Sequence, residues 1–122
     1  MNLKDLLTNK RGQWAEHLAE DYLAKHGLKL IQRNYTCRMG EIDLIMREHD
    51  TIIFVEVRYR KNDQYGGGLE SIDFRKQKKV KITAMHYLQN NDRNQEHSCR
   101  FDAMIITGIS SEPSINWIKN AF

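Results

Sequence analysis

Proline occurs once, at Pro113, and cysteine twice, at Cys37 and Cys99. A single proline, with 40% apolar and 29% charged residues, describes a soluble globular domain rather than a disordered chain. The two cysteines lie far apart and form no Cys-x-x-Cys pair, which argues against a zinc site built on them. Reduced thiols are expected, and with them a cytoplasmic location. His17, His26, His49, His86 and His97 follow no ligand spacing and receive no metal role. There is no long apolar run and no apolar N-terminal stretch, so neither a membrane span nor a secretory leader is expected. Gly66, Gly67 and Gly68 form a triplet without a following Lys-Ser or Lys-Thr, which excludes a P-loop.

What is present centres on residues 40–60, GEIDLIMREHDTIIFVEVRYR. Ile42, Leu44 and Met46 alternate with Glu41, Asp43, Ile45 and Arg47, and beyond a polar break Ile53, Val55 and Val57 alternate with Phe54, Glu56 and Arg58. A period of two predicts strands. Folding between His49 and Asp50 sets Ile42 opposite Val57, Leu44 opposite Val55 and Met46 opposite Ile53, giving one wholly apolar face. The same register sets Asp43 opposite Glu56, with Cβ atoms roughly 5 Å apart. Like charges there repel, so a positive group is expected between them. A hard cation, Mg²⁺ or Mn²⁺, fits two carboxylates completed by water and substrate phosphate. The alternative is an exposed pair neutralised by Arg58 or Arg47.

The 122 residues suffice for one domain, 1–122. A first helix is expected from about Arg11 to His26, ended by Gly27, with Trp14, Ala15, Leu18, Ala19, Tyr22 and Leu23 facing the sheet. Glu16 is the acid of that helix best placed to reach the sheet edge; its alternative is a complement to the helix dipole. Leu28 to Tyr35 reads as a strand. Asn34, Tyr35 and Arg38 near its end are read as packing or hydrogen-bonding residues before nucleic-acid contacts. A second helix starts near Ser71 or Asp73 and runs to about Gln89, burying Val80, Ala84, Tyr87 and Leu88 with Lys76 at the margin. Arg100 to Thr107 and Ile115 to Lys119 read as the last strands. Asp102 is expected to pair with Arg100 or to serve beside the site. The fold class is α/β, an α-β-β-β-α-β core with a mixed central sheet flanked by helices.

Charge is unevenly spread. Arg58, Arg60, Lys61, Arg75, Lys76, Lys78, Lys79 and Lys81 face only Asp63, Glu70 and Asp73 within residues 58–81, although the whole chain is just +3. A basic block beside paired acids suits a phosphate backbone; a solvated helix face is the plainer alternative. Arg58, Arg60, Lys61, Arg75, Lys76 and Lys79 are the candidate contacts, with Tyr65 in the glycine-rich loop as a stacking ring.

The Gly-Glu-Ile-Asp-Leu-Ile strand, Phe-Val-Glu-Val-Arg-Tyr-Arg, the Tyr-Gly-Gly loop, a Lys-bearing helix and a late Arg-Phe-Asp strand together resemble the YraN-type family of small bacterial proteins. That family is similar, distantly, to archaeal Holliday junction resolvases and to the restriction-endonuclease-like group, whose site has the form Asp, spacer, Glu-x-Lys. The resemblance implies a metal site on Asp43 and Glu56, joined by the carbonyl of Val57 and by Glu16, which matches an acid of the first helix in that group. Arg58 stands where the group carries lysine and cannot act as a base. Three roles stay open: Arg58 grips phosphate while metal activates water, Lys76 supplies the missing amine, or cleavage has been lost. A structural pair of Arg58 with Glu41 is a further alternative. The function expected is metal-dependent hydrolysis of phosphodiester bonds in DNA, including branched or damaged DNA, with Asp43, Glu56, Arg58, Lys76 and Glu16 as the reacting set. The alternative is a non-catalytic nucleic-acid-binding module on the same scaffold. RNA as partner and a homodimer are left open.

Overall fold

The computed structural model describes residues 3–62, 68–108 and 111–122, with side chains from residue 10 onward. Tyr65, the expected stacking ring, lies outside the described residues. The elements are α1 (Leu3–Lys25), β1 (Lys29–Cys37), β2 (Gly40–Glu48), β3 (Thr51–Arg60), a 3-10 turn (Leu69–Ser71), α2 (Phe74–Asn91), β4 (Ser98–Thr107) and β5 (Ser114–Ile118). The five strands lie in the order β1-β2-β3-β4-β5. The β3–β4 pair is parallel and the other pairs are antiparallel, so the sheet is mixed as expected. The long β3-to-β4 connection carries α2, as a parallel crossover requires. This is the α-β-β-β-α-β order of a restriction-endonuclease-like core.

Helix α1 begins at Leu3, earlier than the apolar stripe predicted, and ends as read. Gly27 adopts φ 94°, its N–H donates to the carbonyl of Ala24 at 3.1 Å, and the N–H of Leu28 donates to that of Leu23 at 3.1 Å. That bonding closes the helix with a glycine no other residue replaces without strain. Ala15, Ala19 and Leu23 press onto Leu44, Met46, Ile53, Val55, Met104 and Ile106, forming the core on one side of the sheet. Trp14 sits at the rim, edge-on to Tyr59.

Helix α2 covers the other side. Asp73 caps it, its carboxylate accepting the N–H of Lys76 at 2.9 Å. Val80, Ala84 and Tyr87 pack on Ile42, Ile45 and Phe54. A side chain at Gly40 would bring its Cβ to 2.9 Å from Thr83 Oγ1, so this glycine lets the helix approach the start of β2.

The hairpin register is the predicted one from Leu44↔Val55 to Glu48↔Thr51, and there the ladder stops. Ile42 does not join Leu44 and Val57 on one apolar face; it packs under α2 with Ile45 and Phe54. The pleat turns over at Asp43, where the backbone leaves the ladder and both sheet faces are already covered by helices.

Asp102 has no exposure and stands in a structural network. Its carboxylate accepts the Nε–H of Arg100 at 3.0 Å, the indole N–H of Trp117 at 2.9 Å and the backbone N–H of Asn120 at 3.1 Å. Arg100 reaches on to Glu48 at 3.3 Å. The pairing with Arg100 is the expected one, and the carboxylate also fastens β5 and the chain beyond it. Removing one partner leaves buried donors unmatched, so Asp102→Ala is expected to cost about 3–5 kcal/mol in a urea titration. Trp117→Phe, which removes one donor and keeps the ring, should cost about 1–2 kcal/mol in the same titration.

Candidate functional site

The site lies where the β2–β3 ladder opens. One residue past Leu44↔Val55, carboxylates replace carbonyls as acceptors. The N–H of Val57 donates to Asp43 Oδ2 at 2.8 Å, and the N–H of Asp43 donates to Glu56 Oε2 at 3.3 Å. The backbone is thereby satisfied through the two acids expected to face each other, and both are held at one spot.

Two helices complete it. Lys76, in the first turn of α2 and fixed by the Asp73 cap, places Nζ 3.4 Å from Glu56 Oε1. Glu56 is 1% exposed and Lys76 36%, so the ammonium head remains in reach of solvent. From α1, Glu16 Oε1 accepts from the side-chain amide of Asn34 at 2.7 Å, and that amide also reaches Glu41 at 3.2 Å. The flanking pairs Arg33↔Leu44 and Tyr35↔Ile42 set Asn34 across from Asp43. Asn34 holds φ 49°, a left-handed conformation that asparagine tolerates better than most residues. Asn34 thus ties α1 to β2 between two acids. The hydrogen-bonding role expected of Asn34 is the observed one, but its partners Glu16 and Glu41 were missed in the sequence. The period of two does put Glu41 in phase with Asp43, but nothing in the pattern marked Asn34 as the link.

Electrostatics follow from this crowding. Burial first, and then the charge of Asp43, push Glu56 up to about 7 from the ordinary 4.5, with Lys76 pulling the other way. Asp43 is raised mainly by burial, against the bond from Val57, the charge of Lys76 and, more weakly, that of Arg58. Glu16 is raised by burial and by Asp43, with Asn34 opposing. Four acids share two cations.

The expected set is brought together in part. Glu16, Asp43, Glu56, Val57 and Lys76 converge, and Arg58 is close enough for its charge to act on Asp43. The pairing of Arg58 with Glu41 is not formed: the ladder that would oppose them has ended, and Glu41 stands opposite Thr36 on β1. The buried Nε of Arg58 has no hydrogen-bond partner among the described residues. Arg60 is half-buried, with Lys61, Arg75 and Lys79 exposed. None of the four makes a hydrogen bond or ion pair to the site acids among the described residues.

No trio of His, Cys, Asp or Glu among the described residues is arranged to hold an ion by itself. Two carboxylates suffice for a hard divalent cation, and the donors here are all oxygen. The upward shifts of Glu16, Asp43 and Glu56 come first from burial, with a neighbouring carboxylate adding at each, and an ion held by these oxygens would offset both.

The raised Glu56 carboxyl has a consequence for stability. The folded state holds this proton more tightly than the unfolded state, so the contribution is full below pH 4.5 and is lost as pH rises through about 7. Glu56→Gln is expected to match the parent at pH 5 and to exceed it by about 1–3 kcal/mol at pH 8 in urea melts with EDTA. A variant less stable than the parent at pH 8 contradicts this.

Residues 15–106 match the model of the family described as "Uncharacterised protein family UPF0102". A UPF0102 protein of Psychromonas ingrahamii is 50% identical over 124 residues, spanning 100% of this chain and 98% of its own. One from Stutzerimonas stutzeri is 49% identical over 111 residues, 91% of this chain and 92% of its own. One from Nitrosococcus oceani is 42% identical over 120 residues, 98% of this chain and 97% of its own. The resemblance to the YraN-type family is borne out, and the chain belongs to the UPF0102 family.

Proposed function

We propose that this protein is a Mg²⁺- or Mn²⁺-dependent nuclease that hydrolyses phosphodiester bonds in DNA. The observation that carries the reading is the convergence of Asp43 and Glu56 at a gap in the sheet, with Lys76 on one carboxylate and a backbone N–H on the other. A bound divalent ion supplies charge neutralisation and a more acidic water. Asp43 and Glu56 would hold it. The carbonyl of Val57 is the third candidate, since an extended residue presents N–H and C=O to the same neighbouring strand.

The chain's own groups have distinct tasks in this reading. Lys76 carries a donor and a positive charge into the site from α2 and meets the charge that develops on the phosphate oxygens. Arg58 offers an unpartnered buried Nε and a planar fork suited to phosphate. Glu16, held by Asn34, adds an acid from the α1 side. Arg60, Lys61, Tyr65, Arg75 and Lys79 are left for the sugar-phosphate chain on either side of the scissile bond.

One observation favours a second reading. Lys76 already neutralises part of Glu56, and arginine replaces the lysine of Glu-x-Lys, which suits a nucleic-acid-binding module without turnover.

Cleavage of linear, flapped and four-way DNA with Mn²⁺ separates the two. Asp43→Ala and Glu56→Ala are expected to lower the rate at least about 100-fold, and Lys76→Ala by roughly 10–100-fold with partial recovery in Lys76→Arg. Salt-sensitive DNA binding with no cleavage by the parent overturns the nuclease in favour of the binding module. Cleavage that survives in both acid variants removes this site from the reaction.

A further inference from the structure

Strand β2 carries Asp43 near its middle and, about 13 Å along at ~3.3 Å per residue, Arg47 near its far end. Arg47 stands directly across from Lys29 in the β1–β2 ladder, and both are exposed. Like charges at opposed positions destabilise a strand pair. Among the described residues no carboxylate forms an ion pair with either cation. Glu48, the acid next to Arg47, is directed instead to Arg100 at 3.3 Å.

The guanidinium of Arg47 is held in place. Its Nε–H donates to the carbonyl of His49 at 2.8 Å, in a turn where His49 takes φ 53°. Among the described residues this is one of its five donors in use, and the terminal nitrogens stay available. Lys29, Arg47, His49 and Gly27 line a cleft of about 440 Å³. Among the described residues no acid belongs to that lining, and Lys29 and Arg47 are donors only.

We propose that this cleft is an oxyanion site that takes a phosphate group, supplied by a nucleic-acid backbone or by free phosphate. An anion between Lys29 and Arg47 turns the repulsion of the pair into attraction, and a fixed guanidinium beside an ammonium matches phosphate oxygens. The site is separate from the acids at Asp43 and requires neither a metal nor cleavage.

The test uses the full chain in EDTA, so that binding is read without turnover, and compares the parent with the Lys29→Gln/Arg47→Gln variant. The probes are a labelled 20-base-pair duplex followed by anisotropy across a NaCl series, and inorganic phosphate followed by thermal shift. If the phosphate comes from nucleic acid, the slope of log affinity against log salt falls by about one, and affinity at 0.1 M salt drops roughly 10-fold. If it is free phosphate, the duplex slope is unchanged and the phosphate-dependent rise in Tm seen in the parent disappears. No change in either assay overturns the proposal. Lys29→Gln alone keeps the Arg47 bond to His49 and is expected to give about half the effect, which separates loss of the site from disturbance of the turn. Cleavage measured separately reports on Asp43 and Glu56, so failure of the nuclease reading and failure of this site are distinguishable.

Discussion

Withdrawal of Glu56 and Asp43 from water is the constraint on which the rest depends, and the repulsion between carboxylates adds to it. Glu56 is almost fully enclosed, Asp43 lies against it, and each takes a backbone N–H that an ordinary sheet would have given to a carbonyl. Such an arrangement raises the free energy of the folded chain above pH 7 unless a cation offsets it. The fold can sustain it because both sheet faces are closed by helices. Their apolar contacts, with Leu23, Ile45, Phe54 and Met104 fully buried, each contribute on the order of 1.5–3 kcal/mol.

The same constraint explains how the supporting elements are built. Helix α1 approaches through the small Ala15 and Ala19, which brings Glu16 to the gap. Helix α2 is capped by Asp73, so its first turn is fixed and Lys76 reaches Glu56. Asn34 ties α1 to β2 in a backbone conformation that few residues accept. At the far edge, Asp102 draws Arg100, Trp117 and Asn120 together and seals β5 onto the sheet. Charge is thus handled in two ways: satisfied at Asp102, and left in excess at Asp43.

Much of this was legible in the sequence because it rests on period and symmetry. The alternation from Ile42 to Val57, folded about His49 and Asp50, gave the strands, their register and the meeting of Asp43 with Glu56. The apolar stripes of the helices, Gly27 as terminator and Asp73 as cap were equally local signals. What could not be read depends on departures from regularity. Ile42 changes faces because the strand leaves its ladder at Asp43, and a period-two pattern carries no trace of that. For the same reason Arg58 does not meet Glu41. The Asn34 link, the reach of Asp102 beyond Arg100 to Trp117 and Asn120, and the cation pair Lys29 and Arg47 arise from tertiary neighbours further apart in the chain.

The most direct measurement is a ¹³C titration of the Glu56 carboxyl by NMR, with and without Mg²⁺. The account predicts a midpoint near 7 in EDTA, against an ordinary 4.5, and a downward move of at least one unit when Mg²⁺ is added. A midpoint at the ordinary value that Mg²⁺ leaves unchanged would contradict the claim that burial beside Asp43 holds this carboxyl protonated until a cation binds.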